Sequence, residues 1–243
     1  MTAQHNNAPM VEPVSPQREP ETNFFRRPST SRILPFAAYM AFVAIADGLG
    51  RLGWTAEELR WLYPVKIGVV LVLLLACWRT YVELARPALG WRAACEATIV
   101  GVVVLVLWVN LDAGWMQVGS SAGFDPTSGG EIDWGLVAVR IAGAALVVPV
   151  MEELFWRSFL MRWIESRRFL ALRPALVGLQ AFLITAVLFG IEHNLWFAGV
   201  VAGVAYGYLY MRSENLWSPI LAHAVTNALL GIWVVSTAEW TYW

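Results

Sequence analysis

Residues 134–157 read WGLVAVRIAGAALVVPVMEELFWR, an apolar run that ends in two glutamates and an arginine. About 20 apolar residues are enough for an α-helix to cross the hydrocarbon core of a bilayer, so this run predicts a membrane helix. A charge at the bilayer centre costs about 2.5–3.5 kcal/mol on insertion scales. Glu152, Glu153 and Arg157 are therefore expected to be paired with other groups or to serve a function.

The composition of the whole chain is typical of a membrane protein. Of its 243 residues, 58% are hydrophobic and only 14% are charged, against about 45–50% and 25% in average soluble domains. This argues against a disordered protein, a nucleic-acid binder and an ordinary cytosolic domain. Most of the 14 tryptophans lie at the ends of apolar runs, as in an interfacial aromatic belt. We predict an all-α fold, a polytopic transmembrane helical bundle with about seven or eight membrane helices.

The chain divides into two regions. Residues 1–32 are polar and carry five prolines, which predicts a disordered cytoplasmic tail. Residues 33–243 are predicted to form a transmembrane helical domain, in which apolar segments alternate with short polar links. These segments are 33–50, 61–78, 97–113, 134–166, 175–193, 195–212 and 216–236.

The distribution of charge predicts the orientation in the membrane. Arginines cluster in the tail and in two links, whereas the link from Asp112 to Asp133 is acidic and has no lysine or arginine. The positive-inside rule then places the N-terminus and the arginine-rich links in the cytoplasm and the acidic link outside. The arginines concerned are Arg18, Arg26, Arg27, Arg32, Arg79, Arg86, Arg92, Arg167, Arg168 and Arg173.

The two adjacent glutamates are expected to play different parts. Glu153 and Arg157 are four residues apart on a helix, with the acid N-terminal to the base, which favours an ion pair. Glu152 is rotated by about 100° from Glu153, so it is not committed to the same partner. A buried free carboxylate can act as a base, although an ion-pair network without chemistry explains this segment equally well.

Two histidines in apolar runs shift the balance towards chemistry. His193 ends one run, and His223 shares a helix face with Asn227 because they are four residues apart. Neutral imidazole shuttles protons or binds metal, and an amide can stabilise an oxyanion. If residues 167–173 form a hairpin, Glu152 and His193 reach similar depths on adjacent antiparallel helices.

Other polar or small residues in the apolar runs have simpler explanations. Asp47, Lys66 and Arg140 are each single or near a segment end, where they can snorkel or form a structural pair, so they are left out of the predicted site. A small-residue ridge is expected to serve helix packing, and it consists of Gly199, Gly203 and Gly207.

The order of the polar residues resembles that of a known family, the CAAX-protease and bacteriocin-processing family of intramembrane proteases. The motifs that carry the resemblance are Glu152-Glu153-x-x-x-Arg157, Phe189-x-x-x-His193 and His223-x-x-x-Asn227. The motif-bearing core covers about residues 134–235. Flanking sequence at 123–126, 148–158 and 221–227 is similar to the branch of CAAX prenyl protease-related proteins that accompanies bacterial exosortase (PEP-CTERM) sorting systems.

The resemblance implies an intramembrane endopeptidase and a role for each motif residue. Glu152 would activate a water, and Glu153 and Arg157 would brace it. His193 and His223 would position that water, Asn227 would stabilise the tetrahedral oxyanion, and Phe189 would pack against the site.

The resemblance also implies a setting, a bacterial inner membrane with the N-terminus in the cytoplasm. The expected partners are a membrane-embedded or lipidated protein or peptide substrate, the lipid bilayer and exosortase-system proteins, with no nucleic acid. A divalent metal such as zinc could be held by Glu152, His193 and His223 with an open fourth position. A glutamate-activated water needs no metal, however, and we favour the metal-free chemistry.

Two other functions are compatible with a buried polar cluster. A non-catalytic membrane adaptor or bacteriocin-immunity-type protein would use the cluster to bind a partner. A small transporter would use the glutamates and histidines as a proton relay, although the sequence shows no inverted internal repeat.

Overall fold

The structure, a computed structural model, describes residues 27–86, 89–119, 121 and 123–243. Residues 1–26, and with them most of the predicted disordered tail, lie outside the described residues. The first helix begins at Pro28, so residues 28–32 of the predicted tail are helical. Proline is favoured in the first turn of a helix because the N–H that it lacks would have no partner there.

Helices make up most of the described chain, and they follow the predicted segments in order. They are α1 (Pro28–Arg51), α2 (Ala56–Leu59), α3 (Leu62–Ala76), α4 (Trp91–Trp108), α5 (Trp134–Glu165), α6 (Leu179–Ile191), α7 (Trp196–Ser213) and α8 (Trp217–Thr237). Two short strands, β1 (Thr127–Ser128) and β2 (Glu131–Ile132), pair antiparallel in the link before α5. Short 3₁₀ turns occupy Trp78–Thr80, Gly114–Met116, Phe169–Ala171, Pro174–Leu176 and Trp240–Tyr242.

The helices confirm a multi-pass helical membrane protein. Within the described residues, five stretches are long and apolar enough to cross a membrane, namely Pro28–Arg51, Ala56–Ala76, Trp91–Trp108, Trp134–Glu165 and Trp217–Thr237. Helix α6 is apolar but has only 13 residues, and α7 is not among the five. The predicted number of seven or eight membrane helices is therefore approximate.

The outer surface of the bundle is apolar, as a lipid environment requires. Large aliphatic side chains face outward from three helices, with Val72 65%, Ile99 62% and Leu146 68% exposed. Apolar exposure spread over this many helices would cause aggregation of a water-soluble monomer. Several charged and aromatic side chains, by contrast, are buried, including Arg157 and Tyr206.

Helix α5 is continuous, but its turns widen twice. Wide π-type turns occupy Gly143–Val147 and Leu154–Met161, and regular helix over Val148–Glu153 lies between them. A π turn adds one residue, so it rotates the side chains beyond it relative to those before it. Pro149 follows the first wide turn, where the loss of an α-helical hydrogen bond is tolerated. The two adjacent glutamates thus lie between two irregular turns.

Helices α6 and α7 pack with their backbones in close contact. A Cβ atom on Gly199 would lie 2.9 Å from Cα of Gly190, and one on Gly203 would lie 2.9 Å from the carbonyl oxygen of Ala186. Gly207 is similarly crowded by a neighbouring ring. The predicted packing role of the glycine ridge is therefore confirmed.

The close contact between α6 and α7 gives a testable expectation. We expect Gly203→Ala to lower the free energy of unfolding by about 1–3 kcal/mol, because the added methyl group overpacks a backbone contact. Reversible denaturation in detergent micelles measures this difference. Gly68→Ala is the matched control, since a Cβ on Gly68 meets nothing within 4 Å. Equal effects of the two substitutions would contradict the packing role.

Candidate active site

Glu153, Arg157 and His223 form a buried charge network. Arg157 Nη1 donates to Glu153 Oε1 over 3.1 Å, and His223 Nδ1 lies 3.1 Å from the same oxygen. The second guanidinium nitrogen of Arg157 donates to the carbonyl oxygen of Gly203 at 3.4 Å. The Phe189 ring lies under the guanidinium, 4.3 Å from its carbon. The predicted ion pair on α5 is present, and it also fixes the histidine of α8.

Glu152 stands apart from this network. It is only 4% exposed, and its Oε2 atom, like Oε2 of Glu153, has no hydrogen-bond partner within the described part of the chain. Of these two glutamates, Glu152 is the one that lines a cavity. It lines a cavity of about 360 Å³ together with His193, His223 and Asn227, and we call this the inner cavity. Buried carboxylate oxygens are nearly always hydrogen-bonded, so a free one facing a cavity marks a place for a bound group.

The two histidines use the same ring nitrogen, Nδ1, as a hydrogen-bond donor. His193 Nδ1 lies 2.8 Å from the carbonyl oxygen of Phe189, and His223 Nδ1 lies beside the carboxylate of Glu153. A hydrogen-bond acceptor next to Nδ1 keeps the proton of the neutral ring on that nitrogen. Nε2 of each ring is then left with a lone pair, which can accept a hydrogen bond from a water.

Aromatic and amide contacts hold the α8 side of the site. The Tyr206 ring stacks on His223, with centroids 5.0 Å apart and planes 19° from parallel. The hydroxyl of Tyr206, on α7, donates to Thr226 Oγ1 at 2.7 Å, and this holds the ring against α8. Asn227 Nδ2 donates to the carbonyl oxygen of Ala144 at 2.8 Å, which fixes the amide plane. The second N–H of the amide is available to a ligand in the inner cavity.

The three predicted metal ligands, Glu152, His193 and His223, line the inner cavity together. Across the described ranges, no group of three or more His, Cys, Asp or Glu side chains is placed so that it could hold a metal ion. A metal at these residues stays a prediction, and no step of the proposal below runs through it.

Two charged residues of the inner cavity were not predicted as part of the site. Glu192 lines it and accepts a hydrogen bond from Trp156 Nε1 at 3.1 Å. Arg140 also lines it, and its buried Nε atom has no partner among the described residues. The sequence signal for Glu192 was its position directly before His193. Arg140 gave no comparable signal, since it stands alone in an apolar run.

A second buried charge cluster lies at the cytoplasmic end of α5, as the sequence orients it, and sequence reasoning missed it. Glu83 forms ion pairs with Arg32 and with Arg162 Nη2, the latter at 2.7 Å. Ser158 donates to Glu83 and accepts from Arg32 Nε at 3.0 Å. Arg32 was expected in a solvated tail, but it is fully buried. The cluster ties α1 and the link before α4 to the helix that carries Glu152.

Residues 134–229, from α5 into α8, match a family model that is described as "Type II CAAX prenyl endopeptidase Rce1-like". Over 101 residues the chain is 30% identical to a Bacillus subtilis (strain 168) protein named "Putative membrane peptidase YdiL". That similarity spans 40% of this chain and 37% of the relative, little more than a third of its length. No solved structure matches the chain. These similarities support a protease-type function for the region that contains the inner cavity.

The Glu83 cluster predicts a pH-dependent stability. Burial raises the pKa of Glu83, but the ion pair with Arg32 and the hydrogen bonds from Arg32 and Ser158 outweigh it, so the pKa lies below its usual value. We expect Glu83→Gln to lower the unfolding free energy by about 3 kcal/mol at pH 7, because it leaves two buried guanidinium groups without a carboxylate. A carboxyl whose pKa falls on folding stabilises above the unfolded pKa, so the difference should shrink below about pH 4.

Denaturation of the wild type and Glu83→Gln at pH 7 and pH 3.5 measures this effect. The control is Asp47→Asn, which removes an exposed ion pair with Arg51 and should leave stability nearly unchanged. A Glu83→Gln effect as small as that of the control at pH 7 would mean that the cluster does not stabilise the bundle.

Proposed function

We propose that this chain is an intramembrane endopeptidase that cleaves a peptide bond with a water activated by Glu152. The observation that carries the proposal is the free carboxylate oxygen of Glu152 in the same cavity as two histidines and Asn227. Similarity of residues 134–229 to a CAAX prenyl endopeptidase model supports it. The catalytic set is the one predicted from sequence: Glu152, Glu153, Arg157, His193, His223 and Asn227.

The proposed reaction needs one group that carries a proton and one hydrogen-bond donor to the oxyanion. Glu152 takes a proton from the water while the water oxygen attacks the peptide carbonyl carbon. The free N–H of Asn227 donates to the oxyanion that forms. When the carbon–nitrogen bond breaks, Glu152 returns the proton to the leaving amine. The products are a new carboxyl terminus and a new amino terminus.

The neighbouring residues keep the reacting groups in place. The second O–H of the water donates to Nε2 of one of the two rings, His193 or His223, which orients a lone pair of the water towards the carbonyl carbon. Glu153 and Arg157 act as positioning residues, because they contact His223 and the backbone of α7 rather than the inner cavity.

The walls of the inner cavity favour access from outside the cell. The connecting segments that line it are the acidic link at Ser121, residues 192–195 after α6 and residues 241–243 after α8. All lie on the face opposite the arginine-rich links. With a cytoplasmic N-terminus in a bacterial inner membrane, this is the extracytoplasmic face. We therefore favour an exported, membrane-embedded or lipidated substrate, as in an exosortase sorting system, over a prenylated cytosolic one.

The proposed orientation can be tested by cysteine labelling. In a variant with Cys77 and Cys95 replaced by serine, a membrane-impermeant maleimide added to whole spheroplasts should label Ser128→Cys and spare Arg168→Cys. Both positions are exposed, Ser128 in the acidic link and Arg168 in an arginine-rich link. Permeabilised cells should label both, which controls for reactivity. Labelling of Arg168→Cys alone in intact spheroplasts would reverse the orientation.

The proposed chemistry can be tested with two matched glutamate substitutions. Glu152→Gln should lower the rate of cleavage by at least about 10²–10⁴-fold, because an amide cannot take up the proton of the water. It should leave the fold intact, since Oε2 makes no hydrogen bond within the described protein. Glu192→Gln should lower the rate of cleavage by less than about tenfold, because its side-chain oxygen can still accept the hydrogen bond from Trp156.

The assay incubates each purified protein with membranes from a deletion strain of the source bacterium and counts new peptide termini by mass spectrometry. Thermal unfolding in the same detergent checks the fold of each variant. Loss of cleavage with Glu192→Gln but not with Glu152→Gln would show that the proposal assigns the base to the wrong residue. New termini that are unchanged with both variants would contradict a glutamate-dependent protease.

A further inference from the structure

A second, larger cavity adjoins the inner cavity. It has a volume of about 880 Å³ and lies between α1, α2 and α3, and we call it the outer cavity. The two cavities share lining residues on α1, α3 and α5, among them Tyr39, Tyr63 and Arg140. A substrate chain that occupies the inner cavity can therefore extend into the outer one past Arg140.

Arg140 lines both cavities and Lys66 lines the outer one, and neither cation has a carboxylate partner among the described residues. Lys66 Nζ lies 3.9 Å from the centroid of the Tyr39 ring. The guanidinium carbon of Arg140 lies 4.3 Å from the centroid of the Tyr63 ring. Over the described ranges neither side chain has a carboxylate oxygen within 4.0 Å, and Arg140 Nε is buried without a hydrogen bond. Aromatic faces hold these cations without neutralising their charge.

The other charged residues of the outer cavity are compensated. Asp47 and Arg51 pair with each other at 3.0 Å. Arg60 pairs with Glu57 at 3.4 Å and donates to the carbonyl oxygen of Thr127 at 3.0 Å. The outer cavity therefore has a net positive charge that comes from Lys66 and Arg140.

Charge is thus separated along the two cavities. The carboxylates of Glu152 and Glu192 lie in the inner cavity, whereas Arg140 lies at the junction and Lys66 lies in the outer cavity. Cations that only balanced the inner carboxylates would be expected to form ion pairs with them. Lys66 interacts with Glu152 at longer range instead, and Arg140 keeps a buried N–H at Nε without a partner among the described residues.

We propose that Lys66 and Arg140 form a subsite that binds a carboxylate of the peptide substrate, supplied either by its C-terminus or by an acidic side chain. The guanidinium donates to a carboxylate oxygen through a charge-assisted hydrogen bond, and the ammonium group adds a second charge. The proposal rests on the proposed peptidase function, since it assigns the chemistry of the substrate of that same cavity.

The spacing along α5 limits where the carboxylate lies in the substrate. Arg140 and Glu152 are twelve residues apart, about 18 Å along the helix at 1.5 Å per residue. An extended peptide covers that distance with about five residues at ~3.3 Å each. The carboxylate is therefore expected within about five residues of the cleaved bond.

A binding experiment tests the subsite without relying on cleavage. The full chain carrying Glu152→Gln is placed in nanodiscs of phosphatidylcholine, and binding of dansyl-labelled peptides is followed by fluorescence anisotropy. Three probes are compared: the peptide ALVAL as a free acid, the same peptide as a carboxamide, and the carboxamide AEVAL. Comparison of the first probe with the third distinguishes recognition of a terminal carboxylate from recognition of an acidic side chain.

At least one carboxylate probe should bind tenfold or more tightly than the neutral carboxamide. Arg140→Gln and Lys66→Gln, each added to this background, should abolish that preference while leaving binding of the neutral probe unchanged. Arg51→Gln is the matched control, because Arg51 lines the same cavity but is already paired, and it should keep the preference.

Equal binding of the acid and neutral probes, including no binding of either, would overturn the subsite. A preference for the carboxylate probe that survives both Arg140→Gln and Lys66→Gln would also overturn it. That result is expected if the two cations only influence the charge of Glu152. In a parallel set of nanodiscs that also contain phosphatidylglycerol, loss of bound phosphatidylglycerol upon Arg140→Gln, with equal binding of the peptides, would assign the pair to a lipid phosphate and overturn the subsite. A missing preference together with normal cleavage by the wild type would reject the subsite alone, whereas absent cleavage with an intact preference would reject the peptidase alone.

Discussion

The buried charge of Arg157 is the constraint on which the arrangement of the site depends. The side chain is only 1% exposed, and a guanidinium in such a place needs a negative charge and acceptors for its N–H groups. Glu153 supplies the charge, and the carbonyl oxygen of Gly203 supplies a further acceptor. Since His223 contacts the same carboxylate, this one arginine sets the relative positions of α5, α7 and α8.

This constraint separates the roles of two adjacent carboxylates. Glu153 is held by Arg157 and His223, so its charge stabilises the bundle. Glu152 points to another side of α5, because successive residues on a helix are rotated by about 100°. It reaches the inner cavity with a free oxygen. A single helix thus carries both the structural ion pair and the group to which we assign the proton transfer.

Local spacing could be predicted from the sequence, whereas contacts that depend on irregular turns or distant segments could not. The pair of Glu153 and Arg157 follows from their four-residue separation. Arg140 and Glu152 would lie about 120° apart around a regular α-helix, but the residue added by the π turn brings them to within about 20°. Arg32 and Glu83 come from segments 51 residues apart, and no periodic pattern links them.

The central claim, that Glu152 is the base of a membrane peptidase, is tested most directly in living cells of the source organism. Strains that express the wild type or Glu152→Gln from the native locus, at matched protein levels, are compared by mass spectrometry of all membrane-protein termini. We expect a defined set of new C- and N-termini with the wild type, and their uncleaved precursors with Glu152→Gln. Identical termini in the two strains, with the phenotype of a deletion restored by Glu152→Gln, would contradict the claim and make the cluster a binding site.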